Sequence, residues 1–405
     1  MALIVQKYGG SSVATAERIL AVARRVATTK EAGNSVVVVV SAMGKTTDQL
    51  IALAREVSPE PDERELDLLL STGETVSATL MAMALRHMGH TAISLTAGQA
   101  GIRTDSLHGR ARIKSVDTER LWRELGDGKI VIVTGFQGIT DQFDITTLGR
   151  GGSDTTAVAL AVALKSDRCD IYTDVDGVYT ADPRLVPQAR RLEEISYEEM
   201  LEMAQLGSKV MHPRSVELGG AFGVPIMVRS SFNDQPGTLI HEVKEMETRN
   251  RVRGIAHDLN VAKISVVGVP DRPGLAAAIF QPLAEAGISV DVIVQNVTVE
   301  GATDLSFTVA RGDLAKAVRI VEPLAQQIGA SQVLSSDSQG KVSIVGAGIQ
   351  SAPGIAATMF RALYEAGINI QMITTSEIRI TCIVDRERVP EAVEKLHAAF
   401  ELDQV

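Results

Sequence analysis

A run of five valines at positions 36 to 40 is the sequence feature that most restricts how this chain can fold. A strand without polar alternation must be covered on both faces, and a parallel sheet with helices on both sides provides that cover. The run ends at Ser41, followed shortly by Gly44. Hydroxyls and glycines at the carboxyl end of such a strand lie where open α/β sheets bind ligands. We therefore expect a doubly wound α/β domain.

Units of strand, glycine turn and helix recur up to about residue 230. Residues 2 to 6 form a short apolar strand, and the turn at residues 7 to 12, which reads Lys-Tyr-Gly-Gly-Ser-Ser, precedes a helix. Free N–H groups at such a turn and the positive end of the helix dipole suit a phosphate group. The turn is not a Walker loop, because its lysine precedes the glycines.

The densest glycine turn covers residues 149 to 152 and precedes an apolar run that predicts a helix. Its glycines permit a left-handed backbone that approaches a ligand closely, and Ser153 or Asp154 can cap the helix. Arg150 adds a planar fork suited to a carboxylate or a second phosphate. The sequence predicts an anion site here, with a simple capping turn before a buried helix as the alternative.

Three other polar positions have open interpretations. Glu74 either supports the start of a helix or recognises a substrate ammonium group. Lys209 offers another cation, and His212, which precedes a proline, is either structural or catalytic. Residues 169 to 173 predict a further strand, followed by a polar, turn-rich loop at residues 174 to 184.

Length and composition indicate two or three soluble domains in the cytoplasm. The chain has 405 residues and no apolar run that approaches the ~20 residues of a membrane span. Its two cysteines lie far apart, which argues against a disulfide framework or a zinc site. A net charge of -10 disfavours nucleic acid and anionic membranes as partners.

Beyond a charged linker at residues 242 to 253, the chain contains an internal repeat. Residues 263–268, 273–276 and 285–288 match residues 341–346, 353–356 and 365–368. Each copy reads strand, Pro-Gly turn, helix, strand, strand, helix, which is a ferredoxin-like arrangement.

The second copy lacks a long fourth strand, because its last helix runs almost to the chain end. An apolar alternation at residues 252 to 257 could supply that strand. We therefore expect the first copy to be inserted within the second. The expected domains are residues 1–245, residues 263–337, and residues 250–262 together with 338–405.

Taken together, the motifs resemble the aspartate kinases (aspartokinases) of the amino-acid kinase family. They lie, in the family's order, at residues 7–12, 71–74, 146–154, 173–184 and around Lys209. The repeat resembles the tandem ACT domains that sense amino acids in this family. The resemblance covers essentially the whole chain, and it implies a sheet domain of the amino-acid kinase type followed by two ferredoxin-like (ACT) α+β domains.

The resemblance implies transfer of a phosphoryl group from ATP, with Mg²⁺, to the side-chain carboxylate of L-aspartate. This reaction is the first step of lysine, threonine and methionine biosynthesis. Lys7 would hold the transferring group with the N–H groups of Gly9 and Gly10. The complete nucleotide site would comprise Lys7, Tyr8, Gly9, Gly10, Ser41, Thr173, Asp174, Tyr179, Asp182, Arg184 and Lys209, without a dedicated metal site in the protein.

On the substrate side, the resemblance assigns the α-carboxylate of aspartate to Arg150 and its ammonium group to Glu74. The remaining contacts would come from Thr47, Gly151, Gly152 and Ser153. Asp154 would be the second catalytic residue, either as a base or as the group that orients Lys7 and the substrate. A carboxylate nucleophile has no proton to lose, which favours orientation.

The resemblance also implies feedback inhibition by threonine, lysine or both, bound between ACT domains. The effector residues would be Asp271, Arg272, Pro273, Gly274, Leu275, Ala276, Ser289, Val290, Asp291 and Gln295 from the first domain, and Ile355, Ala356, Asn369, Ile370, Ser376 and Glu377 from the second. The second domain lacks the acid that matches Asp271. A repeat that serves only dimerisation is the alternative.

We expect a homo-oligomer formed through the ACT domains. Met246 could also start a separate regulatory subunit from the same gene and give an α2β2 assembly, or it could be an ordinary surface methionine in a homodimer. Two other functions stay open, namely another carboxylate kinase of the family, such as one for acetylglutamate, and a catalytically inactive amino-acid sensor.

Overall fold

The computed structural model describes residues 2–208, 210–243, 252–270, 272–297, 302–349 and 352–404. The chain divides into two compact units. The first unit contains Met1–Val178, Arg191–Ala204 and Lys209–Glu245, and the second contains Tyr179–Arg190, Gln205–Ser208 and Met246–Val405.

The first unit alternates strands and helices, as the sequence predicts. Its strands are β1 (Leu3–Tyr8), β2 (Ser35–Val40), β3 (Ala92–Leu95), β4 (Ile102–Thr104), β5 (Ile113–Val116), β6 (Ile130–Thr134), β7 (Gln137–Ile139), β8 (Ile145–Thr147), β9 (Arg168–Thr173), β10 (Glu194–Ser196), β11 (Ile226–Ser230) and β12 (Thr238–His241). Its helices are α1 (Ala16–Glu31), α2 (Thr46–Val57), α3 (Glu63–His87), α4 (Glu119–Gly126), α5 (Gly152–Ala163), α6 (Tyr197–Gln205) and α7 (Pro213–Phe222).

The main sheet has the order β10-β12-β11-β9-β1-β2-β6-β3, and its central strands are parallel. Val36, Val38 and Val40 pack with α1 and α3 in one core cluster. Because side chains alternate along a strand, Val37 and Val39 point to the other face, and both are fully buried. The doubly wound α/β fold predicted from the valine run is confirmed. The unit also contains a small four-stranded sheet with the order β5-β4-β7-β8.

Strand β1 is longer than the sequence suggests. We expected the turn to begin at Lys7, but Lys7 and Tyr8 belong to the strand because they pair with Val39 and Val40 of β2. The turn itself is a short 3₁₀ helix, Gly10–Val13.

Helix α3 also differs from expectation, because Glu74 lies in its middle rather than at a helix start. The interpretation of Glu74 as support for a helix start is therefore wrong. Gly73 is helical, and a Cβ atom there would lie 2.8 Å from the Cβ atom of Ala42. The glycine thus serves close packing of α3 against the chain that leaves β2.

By length and composition alone, α3 could cross a membrane. Its most apolar 18-residue window is 56% buried inside the unit, however, as in the core helix of a soluble protein.

The second unit contains two four-stranded sheets, each with its own core. The elements of the first ferredoxin-like domain are β14 (Ala262–Pro270), α8 (Leu275–Glu285), β15 (Val290–Val297), β16 (Ala302–Val309), α9 (Leu314–Ile328) and β17 (Gln332–Ser336). Those of the second are β13 (Gly254–Asp258), β18 (Gln339–Val345), α10 (Ile355–Glu365), β19 (Met372–Ser376), β20 (Arg379–Asp385) and α11 (Val389–Ala399).

Strand β13 precedes the first of these domains in the chain but pairs with the second. It lies antiparallel to β18, with Gly254 opposite Val345 and Asp258 opposite Lys341. The sheet orders are β15-β16-β14-β17 and β13-β18-β20-β19.

The segment Tyr179–Arg190 belongs to the second unit, although it lies within the kinase-like part of the sequence. The backbone oxygen of Thr180 accepts a hydrogen bond from the N–H of Ile255, and its hydroxyl lies 2.9 Å from Nε2 of His397. Ala181 and Val186 join the core of the second ferredoxin-like domain.

Phe307 gives a direct test of the first ferredoxin-like core. Its side chain is fully buried and contacts the edge of the Phe280 ring, with centroids 5.2 Å apart. Phe307→Ala should lower the free energy of unfolding of this domain by about 3 to 5 kcal/mol, because it leaves a cavity. Hydrogen exchange in peptides from residues 262 to 329 measures this loss. Leu334→Ala is the matched control, because Leu334 is 52% exposed, and it should change stability by no more than about 0.5 kcal/mol. Equal exchange in both variants would contradict the packing described here.

Candidate functional site

The carboxyl ends of β1, β2 and β9 surround a buried ion pair. Lys7 lies on β1 between Val39 and Ile171 of the neighbouring strands. Its Nζ atom lies 2.6 Å from Oδ1 of Asp154, and both side chains are nearly inaccessible to solvent. The ion pair offers one cation at the edge of the sheet where ligands bind in this class of fold.

Asp154 belongs to the first turn of α5, which begins at the glycine-rich turn. The N-cap is Gly151 in a left-handed conformation, with φ 69°, and no side chain caps the helix. The expectation that Ser153 or Asp154 caps α5 is therefore wrong, because Asp154 pairs with Lys7. Ser153 is buried in the first turn. An N-terminus without a side-chain cap keeps N–H groups available for an anion.

Arg150 is exposed on the same turn. The backbone there is tightly packed, since a Cβ atom at Gly152 would lie 2.9 Å from atoms of Leu148 and Phe136. Phe136 itself has a positive φ of 69°, which is unusual for an aromatic residue. No periodic pattern in the sequence marks this residue, which directly follows Gly135.

The turn after β1 approaches the turn after β2. The N–H of Gly44 donates to the backbone oxygen of Gly10 at 3.0 Å, and a Cβ atom at Gly10 would lie 2.8 Å from the oxygen of Ala42. The N–H of Gly9 donates to the oxygen of Tyr172 at 3.3 Å. The N–H groups of Gly9 and Gly10 are the two predicted to hold a phosphoryl group. Gly10 is the first residue of the 3₁₀ helix, so its N–H group has no partner within that helix.

Glu74 reaches the end of β2 from α3. It is 2% exposed, and its Oε1 atom accepts a hydrogen bond from the N–H of Ala42 at 3.1 Å. Its Oε2 atom is buried without a hydrogen-bond partner among the described residues. Burial raises the pKa of Glu74 to about 7, against the lowering effect of its hydrogen bonds. An unpaired buried carboxylate oxygen suits a cationic ligand group. Ser41 lies directly before Ala42, and Thr47 lies in the first turn of α2.

The other predicted nucleotide residues lie in different parts of the structure. Tyr8 is fully buried and stacks on Tyr172 with ring centroids 4.7 Å apart, so it can contribute only through its backbone. Thr173 ends β9, and its hydroxyl donates to Asp174. Tyr179, Asp182 and Arg184 belong to the second unit, and Lys209 lies outside the described residues.

Asp182 and Arg184 form an ion pair with an N–O distance of 2.7 Å. The Arg184 hydrogen bond lowers the pKa of Asp182. Asp182 and Arg184 are both predicted to contact the nucleotide, but in the structure they are paired with each other.

His212 caps α7, since its Nδ1 atom accepts from the N–H of Arg214. Its ring also packs against Gly151, where a Cβ atom would collide with it. Burial lowers the pKa of His212, so its neutral form is favoured. This geometry is structural, one of the two interpretations of His212 that the sequence left open.

Among the described residues, no group of three or more carboxylate, histidine or cysteine side chains could hold a metal ion.

The predicted effector residues lie in both ferredoxin-like domains, and two of them are engaged elsewhere, one in an ion pair and one in the core. Asp291 forms an ion pair with Lys341 of the second domain, with 2.5 Å between Oδ2 and Nζ. Burial raises the pKa of Asp291, but the charge and hydrogen bond of Lys341, the N–H of Val292 and the charge of Arg379 together lower it, and the net shift is downward. Leu275 is buried in the core, so its side chain is inaccessible. Asp271 lies outside the described residues.

The other effector candidates are placed as follows. Gly274 has φ 91° and precedes α8, and Gln295 is exposed on β15. Arg272, Pro273, Ser289, Asn369 and Glu377 are exposed, whereas Ala276, Val290, Ile355, Ala356, Ile370 and Ser376 are partly buried.

Comparisons with known proteins cover the whole chain. The model of the amino acid kinase family matches residues 2–230, and ACT domain models match residues 262–329 and 342–400. An aspartokinase from Mycolicibacterium smegmatis is 53% identical over 99% of this chain and 97% of its own length. An Escherichia coli aspartokinase III structure in complex with aspartate and ADP (R-state) has a TM-score of 0.80 at 27% identity, covering 98% and 99% of the chains. The same enzyme in complex with lysine and aspartate (T-state) has a TM-score of 0.77 at 27% identity, covering 98% and 99%.

The raised pKa of Glu74 predicts a pH-dependent stability. Because the folded-state pKa of about 7 exceeds the ordinary 4.5, the unfolded chain loses this proton first, and Glu74 destabilises the fold increasingly as pH rises between these values. Glu74→Gln removes this titration, so relative to the wild type the variant should gain about 3 kcal/mol in unfolding free energy between pH 4.5 and pH 8. Urea denaturation at several pH values measures the difference. A difference that stays constant with pH would contradict the burial of an ionisable Glu74.

Proposed function

This chain belongs to the aspartokinases of the amino acid kinase family, and on that premise we propose that it phosphorylates the side-chain carboxylate of L-aspartate with ATP. The products are 4-phospho-L-aspartate and ADP. The observation that carries the proposal is the buried ion pair between Lys7 and Asp154 at the start of α5. It combines a cation and a helix N-terminus, which together suit a transferring phosphoryl group.

The chemistry needs positioning and charge neutralisation rather than a base. A side-chain carboxylate is already ionised at neutral pH, so one of its oxygens can attack the γ-phosphorus directly. The bond to the bridging oxygen breaks, and ADP leaves with that electron pair. Lys7 faces the charge that moves onto the transferring group. Asp154 holds the Lys7 ammonium group in place at 2.6 Å, which supports the orienting role over that of a base.

Recognition of the substrate rests on two charged side chains. The unpaired Oε2 of Glu74 would accept the ammonium group of aspartate. The exposed fork of Arg150 would hold its α-carboxylate. Thr47 and the backbone of Gly151 and Gly152 would complete the contacts.

For the nucleotide, we propose the backbone around Gly10 together with Ser41, Thr173 and Asp174. Tyr179, Asp182, Arg184 and Lys209 stay predictions. Mg²⁺ would arrive bound to the nucleotide, where it neutralises phosphate charge.

Two observations favour aspartate over the other candidate functions. An acceptor without a free ammonium group, such as acetylglutamate, would leave the buried Glu74 unpaired, which is costly. An inactive sensor would have no use for the Lys7–Asp154 pair. The complex of E. coli aspartokinase III with aspartate and ADP supports the same choice of ligands.

Lys7 and Arg150 should affect different kinetic constants. Lys7→Ala should lower kcat by about 10² or more with little effect on the KM for aspartate, because the contact strengthens in the transition state. Arg150→Ala should mainly raise that KM. Lys114→Ala is the control, since Lys114 forms an exposed ion pair with Asp141 at 3.6 Å and should behave as wild type. Near-normal kcat in Lys7→Ala, measured by coupled ADP release, would remove the proposed phosphate contact.

We also propose that the ACT domains carry feedback inhibition by lysine, threonine or both, as end products of the pathway that phosphoaspartate enters. The complex of E. coli aspartokinase III with lysine supports an amino-acid effector. Pairing of β13 with β18 supports the insertion of the first ACT domain within the second, with boundaries near residues 263–337. The homo-oligomer and the cytoplasmic location stay predictions. The same holds for a regulatory subunit that starts at Met246, a residue outside the described part of the chain.

Gln295 tests the effector site. If its exposed amide binds the effector, Gln295→Ala should raise the concentration for half-maximal inhibition about tenfold, which corresponds to ~1.4 kcal/mol. Threonine and lysine are titrated singly and together. Gln332→Ala is the matched control, because Gln332 is exposed on β17, the opposite edge strand of the same sheet. Unchanged inhibition in Gln295→Ala would exclude this site.

A further inference from the structure

Asp67 is a second buried carboxylate on α3, and the roles proposed for the site residues do not include it. It is 1% exposed, yet no lysine or arginine pairs with it among the described residues. Its oxygens accept hydrogen bonds from the N–H of Gly109 at 3.0 and 3.1 Å, the N–H of Thr147 at 3.0 Å and the hydroxyl of Thr147 at 2.5 Å. Nδ1 of His108 lies 2.9 Å away.

These contacts join two loops that are far apart in sequence. Thr147 ends β8, three residues before Arg150, and its backbone oxygen accepts from the N–H of Ala111. The loop of Gly109 also touches the glycine turn directly, because a Cβ atom at Gly149 would lie 3.1 Å from the oxygen of Gly109. Movement at Asp67 would therefore move the turn that carries Arg150.

Arg214 holds the same strand end from another direction. Its guanidinium donates to the oxygen of Leu148 at 2.7 Å and to that of Ala111 at 3.1 Å. These bonds fix backbone oxygens, whereas Asp67 fixes N–H groups. The start of the glycine turn is thus anchored through both kinds of backbone group.

Asp67 and Glu74 are seven residues apart on one helix. Seven residues make nearly two turns, so both carboxylates lie on the same face, roughly 10 Å apart along the axis. Helix α3 therefore carries the proposed ammonium contact at one level and the anchor of the Arg150 turn at another.

We propose that Asp67 is a positioning residue that sets the location of Arg150 relative to Glu74. This inference rests on the proposed function, in which those two groups bind the α-carboxylate and the ammonium group of the substrate. The rigid spacing along α3 then selects acceptors that carry both groups on one carbon atom. A misplacement of about 1 Å at such a site can cost up to ~10² in rate.

The test uses ligands that lack one group each. β-Alanine is aspartate without the α-carboxylate, and succinate is aspartate without the ammonium group. In Asp67→Asn, an amide NH₂ replaces one acceptor that faces backbone N–H groups. The KM for aspartate and the inhibition constant of succinate should rise about tenfold, because both ligands need Arg150. The inhibition constant of β-alanine and the KM for ATP should stay within about twofold. A merely structural role would weaken all four ligands together and would overturn the proposal.

A double-mutant cycle with Arg150→Ala identifies the route of the effect. If Asp67 acts through Arg150, adding Asp67→Asn to Arg150→Ala should change the KM for aspartate little further. Additive effects would contradict the proposal. Glu199→Gln is the matched control, because Glu199 is another buried carboxylate that accepts from the N–H and hydroxyl of Ser196. It should leave all four constants unchanged.

Thr147→Val serves if Asp67→Asn does not fold, since it removes only the hydroxyl donor. It should raise the KM for aspartate about threefold and spare β-alanine; an unchanged KM would overturn the inference. The failure of the proposed function looks different. In that case Arg150→Ala itself leaves the KM for aspartate unaltered, whereas a failure of the inference alone leaves Arg150→Ala impaired and Asp67→Asn normal.

Discussion

The ion pair between Lys7 and Asp154 is the interaction on which the rest of the site depends. A charged group that is removed from water needs an opposite charge beside it. Lys7 and Asp154 meet this need for each other at 2.6 Å, where β1 ends and α5 begins. The fold supplies this meeting point because parallel strands end together at one edge of the sheet. A cation stabilised in this way can face a phosphoryl group without reorganising during the reaction.

Helix α3 carries the proposed contact to the ammonium group of the acceptor. Its packing against the end of β2 relies on Gly73, which allows the close approach to Ala42. That approach brings Glu74 to the N–H of Ala42 and leaves one carboxylate oxygen unpaired in a buried place. Burial raises the pKa of Glu74. The ammonium group of a ligand beside this carboxylate would lower the pKa again. The proposed acceptor contact, Glu74, thus lies at the end of β2, and the proposed phosphate contact, Lys7, lies at the end of the neighbouring strand β1.

Much of this arrangement could be predicted from local sequence. The valine run requires a strand covered on both faces, and the repeat with its Pro-Gly turns predicts two ferredoxin-like domains. What local patterns could not predict depends on tertiary contacts. Glu74 follows a glycine and suggested a helix start, but that glycine serves packing inside α3. In the sequence, Asp67 cannot be told from an exposed acid on a helix, because the residues that bind its carboxylate lie 41 or more positions away. Segment Tyr179–Arg190 follows a kinase strand, yet its apolar side chains belong to the second unit.

The fate of the oxygen atoms tests the central claim most directly. Aspartate labelled with ¹⁸O in its side-chain carboxylate is incubated with the protein, MgATP and hydroxylamine, which cleaves an acyl phosphate at its carbonyl carbon. If that carboxylate attacks the γ-phosphorus, phosphorus NMR should show inorganic phosphate carrying one ¹⁸O atom, together with the side-chain hydroxamate of aspartate. The signal should be nearly absent with Lys7→Ala. Unlabelled phosphate as the sole phosphate product, without hydroxamate, would contradict the account.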